Sequence, residues 1–320
     1  LEIYQLGEIA DKKAALRALG VESGGVGIMA PKMELMLFQI KGLPTPAANI
    51  LKQDALSIGA DLAVPGGVIV CEKSHYDCIL IGTRKHIEIL SRKELAQPFG
   101  LKKVAKELKK FLHIQTFPTK IMGVINANED SFYASSRFDA ENAVAQINRL
   151  ISEGADIVDI GAVSSRPGAE AVSEVEELAR IRPICDAIHE QKLFQKALFS
   201  IDSYAPTVVE YALQSGFELI NDITGAADEQ LIDLAVKYSA KLCIMHMQGT
   251  PQTMQLSPFY DDVTAEVSAF FEERITKCEA LGLDRENIIL DVGIGFGKSL
   301  EHNLTLLGNL RHFTHFGCEV

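Results

Sequence analysis

From about residue 118 onward one hydrophobic pattern repeats. An apolar run of strand length closes on a polar residue, and an amphipathic stretch of helical period follows. The strands predicted this way are residues 120–126, 155–160, 198–202, 217–222, 241–246 and 287–291. Between the first two, Ala140, Ala143, Val144, Ile147, Leu150 and Ile151 share one helical face. Gly154, Gly216 and Gly282 stand where a helix hands over to the next strand, the place of a C-cap glycine. Strict strand–helix alternation predicts parallel βα units with right-handed crossovers, and near-continuous apolar runs suit strands covered on both faces.

A doubly wound sheet and a (β/α)8 TIM-type barrel would both produce this pattern. Asn126, Asp159, Asp202, Asn221, His246 and Asp291 fall at or near the C-terminal ends of their strands. In a barrel those ends converge on one mouth, whereas the outer strands of an open sheet would hold them too far apart to cooperate. The expected fold is therefore the barrel, with about six of its eight βα units present over residues 114–320. The chain stops at Val320, where a seventh strand should start, and begins with Leu rather than Met. The intact protein is thus expected to continue for roughly 50–70 residues, and the 320-residue chain alone is expected not to be a competent enzyme.

Residues 1–113 read as a small α/β domain of unassigned role. Strand-like runs at 33–40 and 68–71, the latter followed by 78–81, alternate with a helical stretch at 47–58. Residues 101–112 form a helical stripe with a basic, solvated face, and the seam lies near 113–118. Gly24-Gly25 and Gly66-Gly67 read as turn glycines.

Composition narrows the class. The 320 residues are 47% apolar and 23% charged, with a net charge of −12 and mean hydropathy +0.11. Residues 1–113 carry 16 basic against 12 acidic side chains, and the remainder 15 against 31, so +4 and −16. A surface that acidic does not attract a polyanionic duplex, so nucleic-acid binding is disfavoured. No apolar run is long enough to span a membrane. The six cysteines form no C-x-x-C and no zinc spacing with histidine, and a reduced, cytoplasmic protein is expected.

Three loops carry candidate chemistry. Residues 291–299, Asp-Val-Gly-Ile-Gly-Phe-Gly-Lys-Ser, approach a phosphate-binding P-loop, but Gly293 and Gly297 are separated by three residues and not four. Asp291 is the stronger functional candidate there, Lys298 the weaker. Residues 161–168, with Ser164, Ser165 and Arg166, form either a small anion cradle or a turn with a surface arginine. Residues 126–133 are rich in oxygen donors, which suits Mg²⁺ or simply the cap of the next helix. His246 has no second histidine at ligand spacing and reads more readily as structural than as a metal ligand.

Taken together, seven motifs in order resemble the dihydropteroate synthase family across residues 118–320. They are the segments 125–132, 154–161, 164–168, 200–203, 220–223, 245–254 and 291–298. The N-terminal domain lies outside the common core, although longer family members carry one. The resemblance implies joining of p-aminobenzoate to the methylene carbon of 6-hydroxymethyl-7,8-dihydropterin diphosphate, with release of pyrophosphate. It implies that Asn126 binds Mg²⁺, that Ser165 and Arg166 hold pyrophosphate oxygens, and that Asp202, Asn221 and Asp291 bind the pterin. Phe296 would contact substrate, and Asp202 and Arg166 would be catalytic. A homodimer and sensitivity to sulfonamides would follow for the full-length protein. Where the family usually reads Asn-Val-Thr-Pro-Asp-Ser-Phe, this chain has Glu129 in a different loop; Ala162-Val163 replace Gly-Glu, and Val292 replaces Pro. The family's later Lys, Arg and His would lie beyond Val320. Two alternatives share the pterin carboxylates: a pterin-dependent methyltransferase, which has less need of the Ser165–Arg166 loop, and a pterin-binding protein without catalysis.

Overall fold

A computed structural model describes residues 3, 9, 11–112, 114, 117–127, 136–163, 172–250 and 253–320, with only the backbone of 136–140. The chain divides into two compact units, Leu1–Ile114 and Gln115–Val320.

In the first unit, α1 (Lys12–Ala18) and α2 (Ser23–Met29) precede β1 (Leu35–Pro44), α3 (Thr45–Ile58), β2 (Asp61–Ala63), β3 (His75–Thr83), α4 (Arg84–Lys93) and α5 (Leu101–Lys110). The strands form an antiparallel sheet in the order β1-β3-β2. Alternation along β3 buries Tyr76, Cys78 and Leu80 in a core with Leu51, Ile87, Leu90 and Leu101. Two expectations are corrected here. The apolar run 68–71 is a turn, closed by the Cys71 N–H on the Val68 carbonyl and the Glu72 N–H on the Gly67 carbonyl, and the central strand's second partner is the short β2 instead. Gly24 and Gly25 lie in the opening of α2, where Val26 packs with Leu16 and Ala30; Gly66 and Gly67 do sit in a turn.

The second unit runs β4 (Met122–Asn126), α6 (Ser136–Ser152), β5 (Ile157–Gly161), α7 (Glu174–Glu190), β6 (Leu198–Asp202), α8 (Pro206–Gln214), β7 (Leu219–Asp222), α9 (Glu229–Tyr238), β8 (Lys241–Met245), α10 (Val263–Ala280), β9 (Ile288–Asp291), α11 (Leu300–Gly308) and α12 (Leu310–Phe313). Each barrel strand lies within two residues of its expected limits. All neighbours are parallel and in chain order, β4 to β9. Helix starts are marked as the sequence chemistry demands: Ser173 caps α7, whose first turn holds Glu174, Glu176 and Glu177 against the helix dipole, and Asp262 caps α10.

The sheet curls. Lys120, just before β4, and Lys241, at the start of β8, both reach the Glu319 carboxylate, at 3.3 and 2.5 Å. Glu319 itself pairs in parallel with Ile289 beyond β9, its carbonyl accepting from the Leu290 N–H at 2.9 Å. This is a (β/α)8 barrel architecture, of which the unit supplies six βα units. Outward-facing Ile160, Ile201, Ile220, Leu242 and Leu290 pack on the helices, while Ile157, Leu198, Leu219, Cys243 and Ile289 form a smaller inner cluster. Each fully buried aliphatic side chain of this kind contributes about 1.5–3 kcal/mol.

Candidate active site

Strand register decides which polar side chains share the barrel interior. Asn126 pairs with Gly161, Gly161 with Asp202, and Asp202 with Asn221. Paired residues in a parallel sheet point to the same face, so Asn126, Asp202 and Asn221 look into the barrel at its C-terminal end. Continuing the register, Asn221 pairs with Cys243, and Met245 with Asp291, which places Asp291 on that face too. One layer deeper are Asp159 and its register partner Ser200. Asp159 is therefore in mid-strand and not at the strand end.

Gly161 makes room for Asp202. A Cβ at Gly161 would come within 3.0 Å of Asp202 Oδ2 and 3.1 Å of its Cβ. Burial pushes the Asp202 carboxyl up to about 7, and the negative charges of Asp159, Glu177 and Asp222 add to the shift. Burial likewise raises Asp159, opposed by the Ser200 hydroxyl alongside and by the Asn221 amide. Asn221 Nδ2 donates to Asp159 Oδ2 at 3.1 Å, which turns the Asn221 carbonyl oxygen away as a free acceptor. Asp159 Oδ1 and Ser200 Oγ are buried without a partner of hydrogen-bonding geometry.

Asp222, next to Asn221, turns to the opposite face. Its carboxylate accepts from the Thr224 N–H and hydroxyl and from the Ala226 N–H, each at 2.7 Å, and so closes the turn after β7. Asp291 Oδ1 accepts from the Gly293 N–H at 2.8 Å, fixing that carboxylate at the start of the glycine loop. Phe296 is half-buried in the same loop.

His246 is structural. It leaves the interior face, stacks edge-on against Phe270 with ring centroids 5.0 Å apart, and lies 3.1 Å from Lys298 Nζ through Nδ1. Burial, then the Lys298 charge, lowers its pKa to about 4, so the ring is neutral. Lys298 is the residue that sequence reasoning undervalued: it is buried, and its pKa is lowered to about 8 by burial against an opposing pull from Asp291. A lysine directly following three alternating glycines was the available signal. Glu177 was missed altogether, because its approach to Asp202 depends on how α7 packs.

Ser165, Arg166 and Glu129 lie outside the described residues. Among the described residues no three His, Cys, Asp or Glu side chains gather as a metal cage. The exposed Asn126 at the barrel mouth fits a cation that needs few protein ligands, since Mg²⁺ keeps several waters and takes its remaining oxygens from a bound phosphate.

The comparisons with known proteins follow this geometry. The family described as pterin binding enzyme matches residues 122–320. The chain belongs to this family of pterin-binding barrels. Within it, the relatives are dihydropteroate synthases. The chain is 40% identical over 305 residues to the bifunctional dihydropteroate synthase/dihydropteroate reductase of Helicobacter pylori, covering 95% of this chain and 80% of the relative. It is 42% identical over 202 residues to the dihydropteroate synthase of Haemophilus influenzae, covering 63% and 72%. Among solved structures, dihydropteroate synthase of Yersinia pestis in a sulfonamide drug complex is similar with TM-score 0.57 and 37% identity, covering 62% of this chain and 72% of that one. The enzyme of Xanthomonas albilineans with 4-aminobenzoic acid gives 0.56 and 36%, covering 62% and 70%.

Proposed function

We propose that the barrel mouth joins p-aminobenzoate to 6-hydroxymethyl-7,8-dihydropterin diphosphate, forming 7,8-dihydropteroate and releasing pyrophosphate. The observation that carries this reading is the register line Asn126, Gly161, Asp202, Asn221, with Asp291 on the same face two strands on: two carboxylates and two side-chain amides facing one barrel mouth. A pterin edge presents amino and ring N–H donors, and these acceptors match it.

The amine nitrogen of p-aminobenzoate supplies the electron pair that forms the new C–N bond. The methylene C–O bond breaks, pyrophosphate takes its electrons, and the amine gives up one proton to solvent. Positive charge develops on the pterin methylene as the leaving group departs. Ionised Asp202, which lies beside Gly161 where no side chain intervenes, opposes that charge. Asn221, held by Asp159, and Asp291, held by Gly293, orient the pterin. Ser165 and Arg166, which follow β5 in sequence, are assigned the pyrophosphate oxygens; Arg suits them through its paired N–H donors. Asn126 is the residue that would hold Mg²⁺, which when bound would supply charge neutralisation of the pyrophosphate. An enzyme of this kind is a sulfonamide target, which the drug complex of the Yersinia pestis relative supports.

The test is pyrophosphate release by the protein when both substrates are mixed. Release that requires both is expected. Pterin binding without release on adding p-aminobenzoate would establish a binding protein instead.

A further inference from the structure

Lys298 is the only buried lysine among the described residues, at 3% exposure, and the reaction as written gives it no role. Its ammonium has three protons and meets three acceptors: the His246 carbonyl at 3.0 Å, His246 Nδ1 at 3.1 Å and the Phe296 carbonyl at 2.9 Å. An ammonium can only donate, so Nδ1 is the unprotonated ring nitrogen. Two of these acceptors belong to the turn leaving β8 and the third to the glycine loop leaving β9.

The two segments are in tight contact where the lysine joins them. A Cβ at Gly293 would fall 2.0 Å from the His246 carbonyl oxygen, and one at Gly297 would fall 2.5 Å from that of Gln248. The His246 N–H donates to the Asp291 carbonyl at 2.9 Å, and the Tyr260 hydroxyl to the Gly297 carbonyl at 2.9 Å. Burying an ammonium is costly, and an apolar residue would fill the space at less cost but leave the three acceptors unpaired. Both residues expected to touch substrate in this loop, Asp291 and Phe296, lie within the stretch that the lysine ties down.

Resting on the activity proposed above, we propose that Lys298 is a positioning residue for the pterin substrate. Its ammonium clamps the turn after β8 onto the glycine loop after β9, and so sets the separation of Asp291 and Phe296. The lysine touches no reacting atom.

K298M keeps most of the stem and removes all three donors. The expected result is a KM for the pterin diphosphate raised about 10-fold, with kcat at saturation changed less than about threefold, as suits loss of charge-assisted hydrogen bonds that act on binding. Calorimetric affinity for 6-hydroxymethylpterin should fall by a similar factor. K298Q, which keeps N–H donors without the charge, should fall between, and it carries the test alone if K298M is not recovered folded. A lowered melting temperature with KM and pterin affinity unchanged would make Lys298 merely structural and overturn the proposal, as would no change in any measurement. Pterin affinity is read without turnover. A wild-type protein that binds pterin but releases no pyrophosphate would therefore fail the activity, while the clamp is still decided on affinity.

Discussion

In the chemistry proposed above Asp202 acts ionised, opposing a developing cation, yet burial and the charges of Asp159, Glu177 and Asp222 raise its carboxyl to about 7 in the free protein. Turnover per encounter, kcat/KM, should therefore fall as pH drops through about 7. The same shift acts on stability with the opposite preference. An aspartate in the unfolded chain titrates near 3.9, so the folded state binds this proton more tightly. The stability it contributes is complete below about pH 4 and is lost as pH rises towards 7. Asp202→Asn should then reduce turnover on the order of 100-fold while melting at a higher temperature than wild type at pH 8. The difference should vanish below about pH 4, where the wild-type carboxyl is protonated in both states. Steady-state kinetics and scanning calorimetry at the two pH values check both halves; turnover close to wild type would remove Asp202 from the chemistry. Gly161→Ala tests placement in place of charge, because its Cβ would meet Asp202 at 3.0 Å. Displacing a catalytic carboxylate by such a contact should cost on the order of 100-fold in kcat, with Asp202 still present to titrate.

At the scale of the element, two glycines with left-handed backbone differ only in what surrounds them. Gly282, which ends α10, has φ 93° and open space where a Cβ would go; Gly293, after β9, has φ 68° and the His246 carbonyl there at 2.0 Å. Gly282→Ala should cost about 1 kcal/mol in urea unfolding, the strain alone, and Gly293→Ala about 3 kcal/mol or more, strain plus displaced backbone. Equal losses would mean that the β9 loop shifts freely. The glycine at 282 was readable in the sequence because a helix-to-strand handover needs it, and the six barrel strands were readable because each is followed by its own helix. The inward set Asn126, Asp202, Asn221 and Asp291 was equally accessible, since strand ends in a barrel share one mouth. What escaped was set by contacts across many residues. Lys298 meets His246 from 52 positions away, and the glycines before it mark a tight loop without showing what its ammonium meets. Asp222 and Asn221 are adjacent and face opposite sides, which only the register settles. In the first unit, the β-branched run at 68–71 has strand composition, but short apolar runs are ambiguous until a pairing partner is known; β3 pairs with β1 and β2 instead.

Over the whole molecule, charge is divided so that residues 114–320 carry −16 of a net −12, offset by +4 in residues 1–113. The barrel mouth adds to that field locally, with Asp159, Asp202 and Asp291 on its inner face and Glu177 close enough to raise Asp202. A pyrophosphate group entering such a site meets repulsion that Arg166, the one arginine assigned to it within residues 114–320, does not cancel at close range. A divalent cation changes the sign of the problem: it lowers the charge of the ligand and can accept the Asn126 oxygen as one of its few protein donors. Pyrophosphate should accordingly bind the protein at least about 10-fold more tightly with Mg²⁺ than with a chelator present, as expected when an anion's charge is neutralised within an acidic cleft. Neutral 6-hydroxymethylpterin, assigned above to Asp202, Asn221 and Asp291, should bind with the same affinity in both conditions. Calorimetric titration of the two ligands separates a specific role for the cation from a general effect of ionic strength, since the latter is reproduced by a monovalent salt of matched strength. Equal pyrophosphate affinity with and without Mg²⁺ would take the cation out of the scheme and leave the anion to side chains alone. Asn126→Ala should abolish most of the Mg²⁺-dependent gain and leave the pterin titration unchanged.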